Sequence, residues 1–142
     1  MKLCIAIMIL CAGFVVTGNA QTSGSQTMRA RIPFTFTVGH KKLPAGDYTV
    51  SILNPSSDRK ALQIRSETGR VSAIVQTVGV KGTLADNAKL VFRRYGDSYF
   101  FAQAQLAGES TSLAATKTRA ERATQRALRQ GGDGSVVAVF GK

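Results

Sequence analysis

From Met28 onward the chain alternates. Met28, Ala30, Ile32, Phe34, Phe36 and Val38 fall on one side of an extended segment, and Arg29, Arg31, Thr35 and Thr37 on the other. Successive side chains of a strand point to opposite faces, so a period of two predicts a strand with one buried face. Pro33 has no N–H to give a ladder, which points to an edge strand or the free side of a ladder. Gly39 breaks the run, His40-Lys41-Lys42 is polar, and Leu43-Pro44-Ala45-Gly46 supplies turn chemistry. Tyr48, Val50 and Ile52 then resume the alternation.

Beyond the polar stretch Asn54–Lys60, two further runs flank Thr68-Gly69, a two-residue hairpin turn. Pairing across it sets Leu62 opposite Val75 and Ile64 opposite Ala73 on one face, with Gln63, Arg65, Ser72 and Gln76 on the other. A slip of one residue would scramble that separation, so the pattern fixes the register. The next hairpin, Lys89–Leu106 around Gly96-Asp97, does not separate. Leu90, Phe92, Tyr99 and Phe101 fall on one face, and Val91, Tyr95, Phe100, Ala102 and Ala104 on the other. A hairpin apolar on both faces needs cover on both.

The segment 112–130 is the cover that the sequence offers. It is rich in helix formers and is followed by Gly131-Gly132, a C-cap signal. At 3.6 residues per turn, Leu113, Thr116, Ala120, Ala123 and Ala127 form a narrow stripe of mostly small residues expected to face the sheet. Arg119, Arg122, Arg126 and Arg129 form a second stripe, expected to face water. Ser135–Phe140 reads as a last strand, apolar on both sides. The fold expected is mainly β: a compact antiparallel sandwich or small open barrel of six or seven strands, with one C-terminal α-helix packed on it.

Residues 1–20 follow different rules. Lys2 precedes an apolar run from Leu3 to Val16, and Gly18-Asn19-Ala20 ends it with the small residues a signal peptidase reads. This predicts a cleavable signal peptide with Gln21 as the mature N-terminus, and hence a protein exported to the periplasm or secreted. Residues 21–27 then form a flexible leader, and 28–142 a single β-rich domain. No later segment is long and apolar enough for a spanning helix, and the strands are too few and short for a membrane barrel. Cys4 and Cys11 both lie within the signal, so the mature domain carries no disulfide and must be held by packing.

Charge narrows the partners. The 142 residues carry +11, and removing residues 1–20, where Lys2 is the one charge, leaves 122 residues at +10. In an exported protein such a balance points to an anionic envelope polymer or lipid head groups rather than nucleic acid. The stripe of Arg119, Arg122, Arg126 and Arg129 is the candidate anion-binding surface, because like charges along one face repel until phosphate or carboxylate groups meet them. The alternative is a barrel binding a small apolar ligand, with Phe34, Phe36, Phe92 and Phe101 lining its mouth.

Residue types weigh against catalysis and metal binding. His40 is the single histidine and sits among lysines, and the acids Asp47, Asp58, Glu67, Asp86, Asp97, Glu109, Glu121 and Asp133 are scattered mostly through turns. No nucleophile elbow, phosphate loop or metal-ligand spacing occurs, so a non-enzymatic protein without cofactor or metal is expected. A hydrolase would require His40 to face a cleft beside a carboxylate and a hydroxyl.

Three blocks carry a resemblance: Pro33–Val50, "PFTFTVGHKKLPAGDYTV"; Leu90–Phe101, "LVFRRYGDSYFF"; and "RAE" at Arg119–Glu121. Together they resemble a family of small exported bacterial proteins with the pattern PFxFxVGxxxLPAGxYxV, LVFxRYGDxYF and RAE. The resemblance implies export and a β domain closed by a charged helix, and it brings no activity, cofactor or catalytic residue. The tail "GGDGSVVAVFGK" departs from that pattern.

Overall fold

Pro33 ends the first strand. The structure, a computed structural model, describes residues 26–128 and 134–141; the expected signal at 1–20, most of the leader and Arg129 lie outside them. The alternation from Met28 to Val38 is kept, with Met28, Ala30, Ile32, Phe36 and Val38 buried and Phe34 half-buried. It is spread over two strands, β1 (Thr27–Ile32) and β2 (Phe36–Val38). The proline lacks a donor and holds the residue before it extended, so the chain leaves one strand partner there and finds another. β2 turns through Gly39-His40, with Gly39 at φ +59°, into β3 (Lys41–Leu43).

β4 (Gly46–Ile52) pairs with β1, and β5 (Arg59–Ser66) with β4. β6 (Ser72–Lys81) returns along β5 in the register expected, Leu62 opposite Val75 and Ile64 opposite Ala73. β7 (Lys89–Tyr95) and β8 (Ser98–Gln105) form the second long hairpin. Its outer face is apolar at Tyr95 and Phe100, which lie beneath the helix, while a bulge moves Ala104 to the inner face. Phe92 pairs with Phe101 but Val91 pairs with Gln103, leaving Ala102 as an extra residue. The bulge returns Ala104 to the face of Leu90, its direct partner, and both are buried in the main core.

The segment 112–130 is not one helix. Thr111–Ala115 is strand β9, which pairs with β6 and at two positions with β8; the helix α1 is Arg119–Leu128. β6 runs ten residues, and its Thr77–Lys81 end needs a ladder partner that β9 supplies. Backbone pairing overrides the helix preference of Leu113-Ala114-Ala115. Helix α1 starts where Thr118 caps it, its Oγ1 accepting from the N–H of Glu121 at 3.1 Å.

β10 (Ser135–Phe140) pairs antiparallel with β7. The wall thus runs β10–β7–β8–β9–β6–β5–β4–β1, antiparallel throughout. Gly141, just past β10, lies against Met28 and Arg29 of β1, so the two ends of the wall meet along a seam. Among the described residues the architecture is an open β barrel with one helix outside. Among the described residues it has ten strands rather than six or seven, because Pro33 divides the first, Lys41–Leu43 forms a short one, and the predicted helix contributes β9.

Candidate functional site

The helix docks through charge. Glu121 is α1's one acid, and 2% of its side chain is exposed. Its carboxylate accepts from Nε of Arg93 and, at 3.1 Å, from Nη2, while the Tyr95 hydroxyl lies 3.3 Å from Oε1. Arg93 and Tyr95 lie on the outer face of β7, where Tyr95 and Phe100 meet edge to face at 5.9 Å between ring centroids. Beyond the pair, at the far end of α1, Leu128 packs over Gly96, which turns the β7–β8 hairpin at φ +59°. A bidentate guanidinium–carboxylate pair satisfies what would otherwise be a costly buried charge.

That docking places the helix differently from the expectation. Ala120, Ala123 and Ala127 are exposed, and Leu113 belongs to β9; no small-residue stripe meets the sheet. Glu121, Thr124, Gln125 and Leu128 make the sheet-facing side. Arg119, Arg122 and Arg126 face water as expected, while Arg129, the fourth of the stripe, is outside the described residues. Arg94, also exposed, lies over the Tyr99 ring at 5.5 Å, a cross-strand cation–π pair.

The four phenylalanines proposed for a mouth are stacked together instead. Phe92 meets Phe34, Phe36 and Phe101 edge to face at 5.2, 5.3 and 6.0 Å, and Tyr99 stacks on Phe34 at 3.9 Å. Phe36, Phe92 and Phe101 are buried, and Tyr48 joins them against Phe36 at 5.2 Å. These rings fill one end of the barrel. Burial raises the pKa of the Tyr48 phenol, whose O–H donates to the Pro44 carbonyl at 2.5 Å.

An apolar hollow of about 60 Å³ occupies the other end, lined by Met28, Val50, Ile52, Leu62, Leu106 and Leu113, with Gln26, Lys60 and Glu109 at its rim. Pockets that enclose a whole small ligand run to roughly 300–1,000 Å³. His40 sits exposed in the β2–β3 turn. Among the described residues no three His, Cys, Asp or Glu side chains come together, and no helix is long and apolar enough to cross a membrane.

The sequence reading missed the Arg93–Glu121–Tyr95 cluster, although Thr118-Arg-Ala-Glu121 is the S/T-x-x-E signature of a helix start and marks where α1 begins. Its second half is used unusually, since the Glu121 carboxylate reaches across to β7. Compared with protein-family models, curated proteins and solved structures, the chain matches none.

Proposed function

We propose that this is an exported, non-enzymatic barrel protein whose helix α1 binds an anionic component of the cell envelope, with Arg119, Arg122 and Arg126 in direct contact. One observation carries the reading: Glu121, the helix's one carboxylate, is turned under α1 onto Arg93. The outward helix face therefore carries arginine charge with no acid of its own to neutralise it. Guanidinium groups on successive turns of a rigid helix fit phosphate or carboxylate oxygens through paired hydrogen bonds.

The test measures binding of the chain from Gln21 onward to lipopolysaccharide as ionic strength rises and the screening length falls from about 30 Å at 0.01 M to about 3 Å at 1 M. Affinity is expected to fall steeply with salt. The variant Arg119→Gln/Arg122→Gln/Arg126→Gln is expected to lose most of it with its melting temperature unchanged, since all three side chains are exposed. Equal affinity in the variant and the parent refutes the reading.

A further inference from the structure

Strand β10 is apolar on both faces, an unfavourable arrangement for a protein bathed only in water. On β10, Val137 and Val139 point inward and are half-buried, and Val139 packs on the core. The outward residues are Val136, Ala138 and Phe140; Val136 is 67% exposed and Phe140 65%. A solvated sheet face is ordinarily polar, and this one carries no polar side chain after Ser135.

Its position gives the strip meaning. Val136 pairs directly with Arg93, Ala138 with Val91 and Phe140 with Lys89, so each shares a sheet face with its partner. Arg93 is the residue that holds α1, which puts the helix and the strip on the same outer face. Leu84, 65% exposed, extends the strip past Phe140, where the two line one shallow cleft with Lys89 and Asp86. Strands β7 and β10 contain no acid. This side of the barrel therefore joins an apolar band, about 13 Å from Val136 to Phe140 at strand spacing, to a row of arginines.

A soluble polyanion would need only the arginines. A bilayer rich in anionic phospholipid uses both, taking aliphatic and aromatic groups at the acyl boundary and guanidinium groups at the phosphates. We propose that the outer face of β7, β10 and α1 docks on an anionic phospholipid membrane, Val136, Phe140 and Leu84 entering the interface while Arg119, Arg122 and Arg126 engage the phosphates. The proposal rests on the cationic reading of α1 and narrows it to a lipid surface.

The experiment compares two probes, vesicles of phosphatidylglycerol and phosphatidylcholine and soluble inorganic polyphosphate, with the chain from Gln21, which holds every described strand and α1. Val136→Ser/Phe140→Ser is expected to weaken vesicle binding about tenfold or more while polyphosphate binding stays as in the parent. The triple glutamine variant is expected to weaken vesicle binding on the order of a hundredfold, from the surface attraction of three cations, and to lose polyphosphate as well. The chain contains no tryptophan, so Phe140→Trp gives a single reporter whose emission is expected to shift to the blue with vesicles and not with polyphosphate. If the serine variant partitions like the parent, or the indole emission of Phe140→Trp does not move, the membrane proposal falls while the cationic helix stands. If the glutamine variant binds both probes like the parent, both fall together.

Discussion

Glu121→Ala tests the helix clamp most directly. The substitution removes the carboxylate and leaves Arg93, with a fifth of its side chain in water, without its bidentate partner. Breaking a buried pair costs about 3–5 kcal/mol, and the low end applies here because the partial exposure of Arg93 lets water solvate part of the orphaned charge. About 3 kcal/mol corresponds to more than a hundredfold in an opening equilibrium. A helix of ten residues has little stability in water by itself, and no side chain of α1 belongs to the barrel core, so the cost falls on helix docking rather than on the barrel. Hydrogen exchange followed by mass spectrometry is the assay. Amides of Arg119–Leu128 are expected to exchange about a hundredfold faster in the variant while those of β5 and β6 keep their protection. Unchanged exchange across the helix would show that the ion pair does not hold it, and equal losses in β5 and β6 would show that helix and barrel open as one unit.

Other consequences are open to measurement. Phe92→Ala removes the ring shared by Phe34, Phe36 and Phe101, and urea unfolding is expected to show a loss of about 3–5 kcal/mol. Burial lifts the Tyr48 phenol above its ordinary 10.0, so the folded state holds that proton more tightly than the unfolded chain. Stability from this residue is therefore complete below pH 10 and declines as pH rises beyond it; in melts across that range the decline should be smaller in Tyr48→Phe. At Gly134 an added Cβ would stand 2.7 Å from Cε1 of Tyr95, so Gly134→Ala is expected to cost about 1–3 kcal/mol in thermal unfolding through displacement of the ring beneath Glu121.

The local features were readable in the sequence because each depends on neighbours a few residues away. The inward residues from Met28 to Val38, the register across Thr68-Gly69 and the turn at Gly96-Asp97 all match the structure. What resisted reading depends on partners far along the chain. β9 is a strand because it fills the edge of β6 opposite β5, a need that Thr111–Ala115 itself does not express. Hydropathy assigned the alanines of α1 to the sheet, whereas docking is decided by Glu121 and Arg93, 28 residues apart. The bulge at Ala102 changes which side chains share a face, and no composition rule locates it. The outward placing of Arg119, Arg122 and Arg126 was legible because their spacing is helical, but the apolar band beside them needed the pairing of β10 with β7 before it acquired a neighbour.

The seam where Gly141 meets Met28 and Arg29 makes the described barrel nearly circular in chain order. Strands β1 and β10 are neighbours there, so a short peptide joining Thr27 to Gly141 would keep all the described strand pairings, and new termini could be opened at the exposed Thr68-Gly69 turn. Such a permutant would carry a tag at the end of β5 and β6 opposite the start of β1, leaving β10 unencumbered.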